Sequence, residues 1–179
     1  MAWSGAADLA AALQSSQPDL VRAALNDLDG WVLVGPGLPM PEAGVLYGLR
    51  DERREEDVLR YLRAIRRYPG FDPPPEWADI VANEVDALLL HGTDRVAAQV
   101  AEDLRTDFDA IGATREALRR MGRRGAFTAE EADAVERLVR RLLVHPELRP
   151  VIVDGVAEWE EYESEYPIFP RVRALLPDQ

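Results

Sequence analysis

The sequence predicts an all-α protein of about seven or eight helices with at most one minor β-hairpin, and two observations carry that reading. Apolar residues recur at helical spacing in one segment after another. Between those segments, Ser, Thr, Pro and Gly stand where helices start and stop. The 179 residues are about one domain's worth, and no proline- and glycine-rich linker separates two cores, so residues 1–179 are read as one α-helical domain.

Ser4 is placed to cap a first short helix running to about Gln14. Pro18 sits where a first-turn proline belongs and opens a second helix ending near Gly30, with Leu20, Val21, Ala24, Leu25 and Leu28 at helical spacing. Trp31 to Val34 reads as a short β-type segment, and the glycines and prolines from Gly35 to Pro41 as a rigid loop. A long helix is expected over Asp51 to Tyr68. Its acids come early and its arginines late, which complements the helix dipole, and Val58, Leu59, Tyr61, Leu62, Ile65 and Tyr68 form its apolar face. Three consecutive prolines after Asp72 must break it.

Two acidic helices follow, Pro75 to His91 and Thr93 to Ile111, each stopped by a glycine. Thr93 and Thr114 read as N-caps, and a short helix then runs to Met121. Arg123, Arg124 and Gly125 make a basic turn. Thr128 and Glu131 have the spacing of a capping box for a helix to about Val144, with Ala132, Val135, Leu138, Val139, Leu142 and Leu143 as its buried stripe. In the tail, Val151 to Val153 reads as a short strand, Val156 to Tyr166 as a helix, and Val172 to Leu176 as a last turn.

Leu9 through Leu13, followed by Pro18, Asp19, Val21, Arg22, Ala24 and Leu25, resembles one HEAT-like helical repeat over residues 6–29. The resemblance implies a helical hairpin of the kind that stacks into a solenoid with a protein-binding surface.

All 21 basic residues are arginine, and the chain contains neither lysine nor cysteine. That excludes Schiff-base and P-loop lysines, thiolate nucleophiles, disulfides and Cys-ligated zinc. No run is apolar enough to span a bilayer, and the first apolar stretch lacks a basic n-region, so the expected setting is the cytoplasm and not a membrane. The net charge of −12 argues against nucleic acid as a partner. Charge alternates along the chain: residues 71–112 carry ten acids against two arginines, whereas 113–150 carry nine arginines against six acids.

Four serines, none in a nucleophile elbow, and two histidines leave little for nucleophilic or zinc chemistry. On a helical wheel Glu84 falls in the apolar stripe of its helix, with His91 near the same face, and Asp107 falls in the inner stripe of the next helix, formed by Val96, Val100, Leu104, Phe108 and Ile111, with Asp103 at its edge. Those three residues, Glu84, Asp107 and His91, are the candidate catalytic set for an enzyme reading, a general acid/base or divalent-metal site in a helical cleft. The reading preferred from the sequence is different: a small acidic protein-binding module of the immunity-protein, inhibitor or adaptor type, needing no cofactor or metal. Its partner would be a basic protein, met through Asp79, Asp86, Asp103, Asp109, Glu158 and Glu161.

Overall fold

The computed structural model describes residues 3–30, 38–52, 54–67, 71, 74–124, 126–160 and 168–177, the side chains of 29, 30 and 50 excepted. The expected β segment at Trp31–Val34, residues 35–37 of the loop after it, and residues 161–166 of the expected last long helix, Glu161 among them, lie outside these residues. The described residues form ten α-helices: α1 (Ala6–Leu13), α2 (Pro18–Gly30), α3 (Gly44–Tyr47), α4 (Glu55–Arg67), α5 (Trp77–Leu90), α6 (Asp94–Arg105), α7 (Ala110–Arg123), α8 (Ala129–Leu142), α9 (Arg149–Glu160) and α10 (Phe169–Arg173). The fold is all-α, as the sequence predicts. In place of a hairpin, the β pairing seen among these residues is one isolated parallel bridge between Leu38 and Phe71. The chain divides into two units, Met1–Asn83 and Glu84–Gln179.

In the first unit α2 packs on α1 and on α4. Val21, Ala24, Leu25 and Leu28 of α2 are buried, as are Val58, Leu59, Tyr61, Leu62 and Ile65 of α4, so the two apolar stripes read from the sequence face inward. The long helix expected from Asp51 begins four residues later, after a 3-10 turn at Arg50–Glu52. Asp57 explains the start. Its carboxylate accepts the backbone N–H of Arg54 at 3.2 Å, which satisfies one of the orphan donors at the head of α4.

Asp57 is buried, and Arg22 of α2 supplies the compensating charge, with Nε 3.2 Å from its Oδ2. The same guanidinium reaches Glu52, through NH1 to Oε2 at 3.2 Å and NH2 to the carbonyl oxygen at 2.5 Å. Burial opposes the Arg22 charge, but the hydrogen bonds to Glu52 and Asp57 outweigh it and raise its pKa above the usual guanidinium value. Asn83 ties down the loop before α3: its Oδ1 accepts from the Ala43 N–H at 2.9 Å and lies 2.9 Å from the Tyr61 hydroxyl.

The second unit is organised by close helix approaches. α7 packs on α9 and on α6, α6 on α8, and α10 on both α8 and α9. Where α7 crosses α9, each helix presents a glycine to a large side chain of the other. A Cβ on Gly122 would overlap the Trp159 indole, and one on Gly155 would come within 2.9 Å of Leu118 Cδ1. A Cβ on Gly92, in the α5–α6 turn, would overlap Ala134 of α8. Arg137 of α8 seals that contact, donating from NH1 to the Gly92 carbonyl at 2.8 Å.

Three expectations are corrected here. Val151–Val153 is not a strand, because it lies in the first turns of α9, where Val151, Ile152, Gly155, Val156 and Trp159 recur at helical spacing and are all buried. The β-branched preference is overridden by that burial. Ser4 does not cap α1. Gly5 holds the cap position without a side-chain bond, while the Ser4 hydroxyl donates to Asp8. The third is the helix expected from Thr93 to Ile111: α6 ends at Arg105, Ala110 and Ile111 already belong to α7, and Gly112 lies inside α7 rather than stopping a helix. The capping box at Thr128 and Glu131 forms as expected, with both reciprocal hydrogen bonds present.

Adding one methyl group distinguishes the crowded glycines from the open ones. Gly122→Ala gains helix propensity of about 0.5–1 kcal/mol but must displace the buried Trp159, and overpacking costs about 1–3 kcal/mol. The expected net result is destabilisation by about 1 kcal/mol or more in urea unfolding followed by circular dichroism. Gly44→Ala, with nothing within 4 Å of the new atom, is expected to be neutral or to stabilise by up to about 1 kcal/mol.

Candidate functional site

The α6–α7 turn places Asp107, one of the three residues on which the enzyme reading depends. α6 stops at Arg105, and the Thr106 hydroxyl folds back to donate to the Glu102 carbonyl at 2.7 Å. Asp107 Oδ1 then accepts the Asp109 N–H at 3.0 Å, and Asp109 Oδ1 accepts the Gly112 N–H at 2.9 Å as the N-cap of α7. Three short polar side chains in succession thus offer the backbone alternatives to a continuing helix. Thr114, expected to be an N-cap, lies inside α7, buried, and its Oγ1 has no hydrogen-bond partner among the described residues.

The candidate catalytic residues are consequently spread out. Glu84 lies in α5 at 0 % exposure and is not without an interaction partner. His91 follows the C-terminus of α5, half-buried, in a groove of about 430 Å³ lined also by Asp94, Glu130, Asp133 and Arg137. Asp107 lies beyond the other end of α6, whose twelve residues span about 18 Å. No group of three or more His, Asp and Glu side chains among the described residues is arranged to hold a metal ion.

The acidic binding candidates have varied surroundings. Asp79 is exposed, and its backbone carbonyl accepts from Asn83 Nδ2 at 2.9 Å. Asp86 is held by Arg120 through two hydrogen bonds of 3.3 and 2.7 Å. Asp103 is half-buried and accepts from Gln99 Nε2 at 2.9 Å. Asp109 is exposed and caps α7, while Glu158 is exposed on α9. Three of the five arginines of the 113–124 segment fold onto carboxylates of their own unit: Arg119 onto Glu116, Arg120 onto Asp86 and Arg124 onto Glu131.

One feature was not legible from helical spacing. Phe108, read as a core residue, is 90 % exposed, and Ile111 is 49 % exposed. Val144, in the α8–α9 turn, is 69 % exposed. These residues share one end of the second unit because α6 and α8 run side by side in the same direction. At the start of α6, Asp94 lies 3.5 Å from Arg137 in the second half of α8. At the ends of the two helices, Glu102 is close enough to His145, and Arg105 to Glu147, for their charges to interact. The two hydrogen bonds from Arg105 hold the Glu102 carboxyl below the usual range, with the His145 charge acting in the same direction. Asp107 and Asp109 flank the exposed ring in the chain. The pattern Thr106-Asp107-Phe108-Asp109 carried the signal, two turn-forming acids on either side of an aromatic residue.

A second cluster fastens α10 to α8, where Arg171 donates to Asp133 Oδ1 at 2.6 Å and to Glu136. The hydrogen bond from Arg171 lowers the Asp133 pKa against the opposing effect of desolvation, and Arg137 adds to the shift. A depressed carboxyl contributes stability above its unfolded pKa and loses it as pH falls through the folded value. Asp133→Asn is therefore expected to melt below the wild type near pH 6, and the gap should close as pH falls toward about 2. A gap independent of pH would show that the Asp133 charge contributes nothing.

No protein family, curated protein or solved structure matches this chain.

Proposed function

We propose that this chain is an acidic protein-binding module of the immunity-protein, inhibitor or adaptor type, which docks a basic partner protein through the end of its second unit. The observation that carries this reading is Phe108, 90 % exposed on a tight turn between two helices and flanked by Asp107 and Asp109. A large aromatic side chain left in water by a well-packed unit has the character of an interface anchor, since few buried aromatic and arginine contacts dominate binding energy.

The net charge of −12 gives the encounter its sign. A matching surface would carry an apolar pocket for the ring, with arginine or lysine at its rim facing Asp107 and Asp109. The HEAT-like resemblance of α1 and α2 agrees with a protein-binding class. The enzyme reading draws less support, because α6 separates His91 from Asp107 and Glu84 is closed to solvent.

The ring can be removed without touching the core. Phe108→Ala is expected to leave unfolding stability within about 0.5 kcal/mol of the wild type. It should weaken partner binding by about 30-fold or more, the loss of an anchor worth about 2 kcal/mol. The check is a photo-crosslinking amino acid at position 108, followed by affinity measurement of the captured protein against wild type and Phe108→Ala. A captured protein that binds both forms equally would remove Phe108 from the interface.

A further inference from the structure

The last turns of α7 bring four arginines together. Arg119 and Arg123 stand four residues apart, as do Arg120 and Arg124, and all four line one open cavity of about 380 Å³ with Asp86 and Leu89. Like charges at this spacing repel by a few tenths of a kcal/mol per pair, so the cluster needs negative charge nearby. Part of it comes from the C-terminal end of the α7 dipole. The rest comes from three carboxylates, and their quality differs.

Arg120 is fixed on Asp86 by two hydrogen bonds. Arg124 lies 2.5 Å from Glu131, which also accepts the Thr128 N–H at 2.8 Å in the α8 capping box. Those two arginines are committed to the fold. Arg119 is held by two hydrogen bonds, of 2.8 and 2.5 Å, to Glu116 of its own helix, a pair 45 % exposed on the arginine side that ties it to no other element among the described residues. Arg123 is exposed and makes no ion pair or side-chain hydrogen bond among the described residues. In a chain of net charge −12, this cavity is therefore a local concentration of guanidinium donors, with the Arg123 set unused and the Arg119 set engaged only within its own helix.

We propose that the cavity binds a polyvalent oxyanion of the phosphate-ester class, gripped by Arg119 and Arg123. Side chains four apart on a helix start about 6 Å from each other, which lets two planar guanidinium forks converge on separate oxygens of one phosphate group. Arg120 and Arg124 border the site while staying on Asp86 and Glu131, so Asp86 enters it already neutralised. The buried Leu89 adds an apolar wall, and the volume lies in the range of small-ligand sites, about 300–1,000 Å³.

The probe is inorganic pyrophosphate, titrated calorimetrically into the full chain at constant ionic strength with sodium chloride as balance. Saturable one-to-one binding is expected for the wild type. Arg119→Ala with Arg123→Ala should lose at least tenfold in affinity at an unchanged melting temperature. Arg119→Lys with Arg123→Lys should keep part of it, since a point charge replaces a fork. Arg67→Ala, an exposed arginine on α4, should bind as the wild type does. No saturable binding, equal binding by the double alanine variant, or binding of a single-stranded oligonucleotide in preference to pyrophosphate would each overturn the proposal.

Discussion

The crossing of α7 over α9 is the constraint on which the second unit depends. Gly122 faces Trp159 and Gly155 faces Leu118, so each helix gives up a side chain at the point where the other brings a large one. Helices that approach this closely gain dispersion contacts along the whole crossing, and Trp159, Leu118, Met121 and Val156 are all buried there. Because α7 also packs on α6, fixing it on α9 fixes the turn from which Phe108 projects. The exposed ring then sits on a rigid mount. A rigid anchor loses little conformational freedom on binding, which favours a preformed contact over an ordered-on-binding one.

Charge has a different role. The alternating acidic and arginine-rich blocks of the sequence meet in pairs that join elements: Arg22 with Asp57 between α2 and α4, Arg120 with Asp86 between α7 and α5, and Arg171 with Asp133 between α10 and α8. Most of these pairs are solvent-exposed, where an ion pair orients its helices more than it stabilises them. The Arg22–Asp57 pair differs because Asp57 is buried, so that removing Arg22 would leave the Asp57 carboxylate, among the described residues, only the longer ion pair with Arg60, at 3.8 Å. Once these pairs are formed, the acids that remain outward are not those that a count of residues 71–112 would select. Asp86 is spent on Arg120, whereas Asp109, although it caps α7, stays exposed beside Phe108.

Local signals were legible wherever one helix could be read alone. Pro18 opened α2, the Thr128–Glu131 capping box opened α8, and the stripe from Val58 to Ile65 gave the inner face of α4. The wheel also placed Glu84 inward, and it is buried. The misses came where two local signals competed. Leu104, Phe108 and Ile111 continue a helical period, and that period hid the turn formed by Thr106, Asp107 and Asp109. In the same way, β-branched Val151, Ile152 and Val153 hid the start of α9, whose burial pattern appears only when the stripe is followed on to Trp159. Asp57 carried its own signal unread, four residues before the buried Tyr61 on the same face. The candidate site was the less legible part. Exposure of an apolar residue depends on what packs over it, and one-dimensional periodicity does not carry that information.

The glycine-limited crossing can be tested by a double-mutant cycle between Gly155 and Leu118, measured by urea unfolding. A methyl on Gly155 collides with Leu118 Cδ1, an atom that Leu118→Val removes. If close approach sets the geometry, the clash with Leu118 should offset the helix-propensity gain of about 0.5–1 kcal/mol in Gly155→Ala, and the same change should be more favourable by about 1 kcal/mol in the Leu118→Val background. Costs that add to within about 0.3–0.5 kcal/mol would contradict it, since the two positions would then not be competing for the same space.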